Sequence, residues 1–486
     1  MKFSLPLAAG MLLAACANFA PPQDRPALST APAYESDFRP DAGGPLATEL
    51  AWRDFFADPR LRALIETALT NNRDLVQATG RIAEARAAYR IERSARLPEV
   101  NGGASAIRSR TPITSGSVAT IGGGDDLEPG AADVAAPTSI TATNYDLSVG
   151  VTSFELDFWG RVRNLSDAAL ARYLSTVAAE RAFRLSLIGD VSSAYFAWLE
   201  ADERIELARQ TLESRQQELQ IAQKRLDAGV TSALDFRQAE ALVTQAELAL
   251  AGVTLDRART RNLLAVLVGG PIPGALPEGL SLEAQNLDAD LDAGLPSQLL
   301  LARPDIISAE YDLRAARFDI GAARAAFFPS ISLTGSAGFS STELDDLIGE
   351  DGLSWRFGPT IDIPLLDWGR REANLDVARA REFIQVAAYE RAVQGAFREV
   401  SDSLAARRWL SEQVAAQQRN VDALDAIARL ARLRYREGVA RYLEVLDAER
   451  NLFTAQQNLV TLERQLSETY VSLYLALGGG TEPSSP

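Results

Sequence analysis

Few of the side chains that do chemistry are present in this sequence. Among 486 residues there is no histidine, one cysteine (Cys16) and two methionines (Met1 and Met11). Ser-His and Cys-His nucleophilic arrangements are therefore excluded, as is a metal centre built on soft ligands. Carboxylates are in excess, with 65 Asp and Glu against 49 Lys and Arg, and the resulting formal charge of −16 argues against a nucleic-acid partner. No pair of carboxylates is set apart by an apolar pocket or a partner base, as a hydrolase requires. The chain therefore reads as a non-enzyme, and no cofactor is expected. One spacing stands out: Glu444 and Asp447 lie three residues apart, just past Gly438, so a helix would place both on one face. Such a pair can attract or hold cations. A plain solvated helix face would have the same pattern.

The stretch around that pair occurs twice. Arg225-Leu226-Asp227-Ala228-Gly229-Val230, running on to Asp235, is echoed by Arg434-Tyr435-Arg436-Glu437-Gly438-Val439, running on to Glu444 and Asp447. The shift is 438 − 229 = 209 positions, and it also carries Trp159-Gly160-Arg161 onto Trp368-Gly369-Arg370. The chain is a tandem duplication with a unit too long for a short-period solenoid. Gly229 and Gly438 sit where a helix needs a left-handed residue to stop, with basic residues before and acidic residues after, as helix dipoles favour. Ser232 with Asp235 reads as a capping box. Arg441 replaces that serine in the second copy, which predicts a weaker or different cap.

Cys16 offers a different chemistry. Lys2 and a short apolar run through residue 15 form a secretory signal (1–15), too short to span a bilayer. Leu13-Ala14-Ala15-Cys16 resembles a bacterial lipoprotein cleavage box, in which the cysteine is acylated and becomes the first mature residue. Ala17 in place of Asp fits sorting to the outer membrane. An ordinary signal with an incidental cysteine is the competing reading. Residues 16–48, rich in Pro, Ala and acidic side chains, read as an extended tether with little core of its own.

The remaining elements follow from periodicity. Residues 49–98 carry helices of the first repeat, and 99–156 a first strand pair (99–110 with 140–156) around a Gly-rich acidic loop. Residues 157–269 form a first long helical hairpin with its tip near 229–235, and 270–300 a Pro/Gly/Asp-rich connector. Residues 301–329 give a helix of the second repeat, 330–366 a second strand pair (330–341 with 353–366), and 367–477 a second long hairpin with its tip near 438–447. Residues 478–486 are a tail. Heptads such as Trp198, Ile205, Leu212, Leu219 and Leu226 imply close helix packing, within a helix whose full length would be roughly 100 Å. The strands alternate apolar and polar residues, with aromatics near their ends, as a lipid-facing barrel wall does. Four strands cannot close a barrel, since the smallest closed membrane barrels have about eight. An open edge is not tolerated in lipid. Several chains must pool their strands, and three chains would supply twelve.

Together these residues identify a family. Leu13–Cys16, Trp52…Phe56…Leu61…Leu69, Trp159-Gly160-Arg161, Arg303-Pro304-Asp305-Ile306 to Phe328-Pro329-Ser330-Ile331, Asp367-Trp368-Gly369-Arg370 and Tyr435…Gly438…Asp447-Ala448 resemble the TolC-like outer-membrane efflux proteins. The likeness is to the lipoprotein branch serving resistance-nodulation-division pumps, and it spans nearly the whole mature chain. It implies a homotrimer combining a twelve-stranded transmembrane β-barrel with a long periplasmic α-helical barrel. The implied role is a passive conduit for drugs or other small molecules, supplied through a membrane-fusion adaptor by an inner-membrane pump. Cys16 would carry lipid, and Gly229 and Gly438 would turn the periplasmic tips. Glu444 and Asp447 would line the closing gate. Asp235 and Tyr435 match a pair that ties neighbouring tip helices, and Arg441 stands beside the usual basic lock position, occupied here by Ala440. A type I protein-secretion channel and a structural periplasmic coiled-coil lipoprotein are the alternatives.

Overall fold

A computed structural model of the chain describes residues 18–27, 45–112, 139–285, 287, 291 and 302–480. Cys16 and the loop residues 113–138 lie outside the described residues. Twelve elements matter here. Helices α1 (Trp52–Phe55), α2 (Pro59–Asn71) and α3 (Arg73–Ser94) lead into strands β1 (Val100–Pro112) and β2 (Ser139–Glu155). The first long hairpin is α4 (Arg161–Asp227) with α5 (Ala233–Leu267). Helix α6 (Pro304–Ala325), strands β3 (Ser330–Ser341) and β4 (Leu353–Asp362), and the second hairpin, α7 (Arg370–Arg436) with α8 (Tyr442–Ala476), complete the order.

The duplication is exact to the residue in the hairpins. A shift of 370 − 161 = 209 carries α4 onto α7 and α5 onto α8, and each long helix has 67 residues. The strands form one antiparallel sheet in the order β1-β2-β3-β4, with β1 and β4 at its edges. β4 ends at Asp362, short of the expected 366. Pro364 cannot donate to a ladder, and Asp367 instead accepts from the backbone N–H groups of Gly369 (3.3 Å) and Arg371 (3.1 Å) at the start of α7.

Two compact units make up the chain. One contains Ala87–Leu170 and Arg314–Glu382, with the N-terminal segment through Gln23. Within it Phe19 stacks on Phe328 and Phe328 on Trp159, each pair with ring centroids 4.8 Å apart, and the Trp159 indole N–H donates to the Pro329 carbonyl at 2.8 Å. Residues 18–27 of the tether are free of helix and strand, and Phe19 is seated there by its ring, while residues 28–44 lie outside the described residues.

The other unit holds Asp24–Arg86, Ala171–Leu313 and Phe383–Pro486. Its main core gathers Trp52, Phe56, Leu61, Ile65, Tyr195, Phe196, Leu264 and Tyr474. A second cluster, nearer the hairpin ends, packs Ala222, Ala239, Leu242, Ala428, Tyr442, Val445, Ala448 and Leu452. Small residues there let the helix backbones approach closely, as the heptad pattern implied.

Candidate functional site

The sheet supplies the first functional surface. Pairing puts Val100, Val151, Gly335 and Phe357 in one cross-strand row, and Gly102, Val149, Ala337 and Trp355 in the next on the same face. The alternate row is Asn101, Gly150, Ser336 and Arg356. Because strand side chains alternate between faces, one face is apolar and the other polar. The apolar side is bare: Trp355 is 75% exposed and Phe357 67%. Contiguous exposed apolar surface of this kind marks a membrane or protein contact. Among the described residues no helix is long and apolar enough to cross a membrane.

The hairpin ends supply the second surface. Gly229 (φ 70°) and Gly438 (φ 78°) both adopt the left-handed conformation. The N–H of Val230 reaches the Arg225 carbonyl and that of Val439 the Arg434 carbonyl, both at 3.0 Å. This is the same helix-stopping motif twice, and a Cβ at either glycine would be strained. Ser232 caps α5 by accepting from the Asp235 N–H at 3.2 Å. The Asp235 carboxylate accepts from the Thr231 hydroxyl. Arg441 occupies the matching N-cap position of α8 and makes no side-chain cap bond.

Glu444 and Asp447 are both exposed, one turn apart on α8. Each has an arginine of its own chain nearby: Arg434 lies 3.5 Å from Glu444, and Arg450 lies 3.2 Å from Asp447. Exposed pairs of this sort are weak, about 0–1 kcal/mol, so the carboxylates stay available. Tyr435 is held through its ring. The Arg225 guanidinium sits 4.6 Å from its centroid, and Tyr442 meets it edge-on at 5.2 Å. Its hydroxyl is buried without a hydrogen-bond partner. The structure thus places Asp235 and Tyr435 at the same end of the hairpins but does not bond them within one chain.

Sequence reasoning missed a buried charge cluster behind the tips. Arg215 and Glu218 on α4, Arg432 on α7 and Glu449 on α8 come together there. Arg215 could have been found. Ala201, Ala208 and Ala222 repeat at seven-residue spacing along the buried side of α4, and Arg215 takes the place between Ala208 and Ala222. A charge in an alanine row must have a partner. Glu449 gave no such signal, since its duplicate, Glu240, lies in an exposed pair with Arg237.

A sheet with one bare apolar face and two long hairpins with matched tips define a membrane channel subunit, not an enzyme. The family model for outer membrane efflux proteins matches residues 64–270 and 295–479. The chain belongs to that family. It is 42% identical to the solvent efflux pump outer membrane protein SrpC of Pseudomonas putida, over 99% of each chain. It is 38% identical to the cation efflux system protein CusC of Escherichia coli, over 98% of each. The open-state MtrE outer membrane channel of Neisseria gonorrhoeae superposes with a TM-score of 0.84 at 38% identity, covering 95% of this chain and 98% of that one. This chain is likewise a component of an outer-membrane efflux system and resides in the outer membrane.

Proposed function

We propose that three copies of this chain build a passive outer-membrane duct for small organic molecules of the solvent and drug type. A periplasmic adaptor and an inner-membrane resistance-nodulation-division pump would deliver the cargo. The observation that carries the reading is the sheet. Its apolar rows run across all four strands to unpaired edges at β1 and β4, and lipid tolerates such edges only when other chains pair with them. Three sheets of four strands give twelve, enough to enclose a pore. The solvent-type cargo is favoured by likeness to relatives named for solvent and toluene efflux. Cation export, as named for CusC, is the second reading. The mature chain's lack of histidine and methionine would leave cation selection to the pump.

In this account Cys16 carries acyl chains that anchor the tether, each buried methylene contributing about 0.8 kcal/mol. The hairpin ends form the periplasmic gate. Glu444 and Asp447 provide acidic rings, while Asp235, Tyr435 and Arg441 belong to the lock that holds neighbouring tips together.

Expression in a Pseudomonas putida strain deleted for its solvent-efflux outer-membrane component tests the role. Restored toluene tolerance is expected, with cross-linking in mild detergent showing three copies. Correctly sorted trimers that restore no tolerance would refute the cargo, and a stable membrane-inserted monomer would refute the pooled barrel. Cys16→Ala behind a replacement signal should still give trimers.

A further inference from the structure

The charge cluster behind the tips is built unlike the rest of the helix interfaces. Arg215 is 3% exposed, donates from Nη1 to the Leu242 carbonyl of α5 at 2.9 Å, and lies 5.3 Å from the Phe453 ring. One turn further along α4, Glu218 has one oxygen 3.9 Å from Arg432 Nε and its other oxygen buried with no hydrogen-bond partner. Arg432 is already engaged by Glu449, which accepts from the same Nε. One guanidinium is therefore contested by two carboxylates on different helices. The Arg215 Nε and the Tyr442 hydroxyl are also buried without partners. The groups that face Glu218 are Arg215 on its own helix, Arg432 and Arg436 on α7, and Glu449 on α8, with the Tyr442 phenol of α8 against the same carboxylate.

The cluster occurs once per chain in spite of the duplication. The 209-residue shift carries Glu218 onto Ile427, which is exposed, and relates Arg432 to Gln223. So it is not an inherited feature of each hairpin. It joins the first hairpin, through α4, to both helices of the second.

We infer that Glu218, Arg432 and Glu449 form a proton-sensitive latch that fixes the second hairpin against the first behind the tips. With Glu218 ionised, its partly buried carboxylate and the buried Glu449 carboxylate repel each other and compete for one arginine. Protonation removes the repulsion, leaves Arg432 to Glu449, and turns Glu218 into a donor whose hydrogen bond the unpartnered Tyr442 hydroxyl can accept. Burial, reinforced by Glu449, pushes the Glu218 carboxyl up to about 7 against the opposing pull of Arg432, Arg215 and Arg436. A raised folded-state value means that the protonated joint is the more stable one. The stabilisation is complete below the ordinary glutamate range and is lost as pH rises towards 7. The latch is tight in acid and loosens at neutral and alkaline pH. Its effect on conduction rests on the reading of the tips as a gate.

The test uses the full-length trimer from pH 5 to pH 8. Hydrogen–deuterium exchange, corrected for the intrinsic pH dependence, reports protection on α4 around Glu218 and on the stretches of α7 and α8 around Arg432 and Glu449, where the two hairpins meet behind the tips. Channel opening in planar bilayers is recorded in parallel. Wild-type protection should fall several-fold between pH 5 and pH 8. Glu218→Gln, a near-isosteric neutral side chain, should hold the acid level of protection throughout. Arg432→Gln should be poorly protected at all pH values. Wild-type protection independent of pH, or a pH dependence that survives Glu218→Gln, would overturn the latch. Protection that follows pH while opening does not would uphold the latch and refute the tips as the gate.

Discussion

The Tyr195 hydroxyl donates to the Asp58 carboxylate across 2.7 Å, and neither side chain is exposed. Asp58 also accepts from the N–H groups of Arg60 (2.8 Å), Leu61 (3.2 Å) and Leu280 (2.9 Å), and from Gln285 Nε2 (3.0 Å). One carboxylate thus caps α2, holds α4 and fixes the connector after α5. Tyr195→Phe should cost about 1.5–3 kcal/mol, the range for a hydrogen bond to a charged group. Asp58→Ala should cost more, because it strands several buried donors. Denaturant midpoints of the detergent-solubilised protein measure both. A loss below roughly 0.5 kcal/mol in Tyr195→Phe, no more than an ordinary surface change, would contradict the assignment.

Asp58 also shows what a sequence reveals and what it hides. Asp followed by Pro59 is a readable helix start. Its bonds to Tyr195 and Gln285 join positions 137 and 227 residues away, and no local pattern announces such pairs. The hairpins, the strand alternation and the two glycine stops were legible because each follows from period or backbone conformation. The Glu218–Arg432–Glu449 cluster was not, since a glutamate on a helix reads as solvated until a third helix covers it.

In the proposed lock Tyr435 acts through its ring. Its hydroxyl makes no bond within the chain, whereas Arg225 and Tyr442 contact the ring. Tyr435→Phe should leave channel opening close to wild type. Tyr435→Ala and Arg225→Ala should each raise the opening frequency in planar bilayers. Equal effects of Tyr435→Phe and Tyr435→Ala would show that the hydroxyl carries the lock.

The two tips are capped unequally. Ser232 caps α5, and Arg441 leaves α8 without a side-chain cap. Amides in the first turn of α8 should exchange faster than those in the first turn of α5. Ser232→Ala should cost about 1 kcal/mol and erase the difference, and Arg441→Ser should recover a similar amount. Equal protection in the wild type would contradict this.

Glu463 on α8 is half-buried with Glu203 and Glu283 as its charged neighbours, and burial, then these two carboxylates, push its carboxyl up to about 7. Its protonated form favours the folded state. Stability from this site is present below the ordinary glutamate range and fades as pH rises towards 7. Glu463→Gln should stabilise the protein at pH 8 and change little at pH 5, as read from denaturant midpoints. A gain of the same size at both pH values would contradict the assignment.

In the proposed channel, Glu444 and Asp447 close and charge the periplasmic mouth. In a trimer each position contributes three carboxylates around one opening, and acidic rings of this kind favour cations. Both side chains are exposed, so Glu444→Ala with Asp447→Ala should change trimer stability by less than about 0.5 kcal/mol. The direct measurement is the single-channel reversal potential across a salt gradient, with and without a divalent cation. The wild type should show cation preference and divalent block, and the double variant should lose most of both. An unchanged reversal potential and unchanged block in the double variant would contradict the claim.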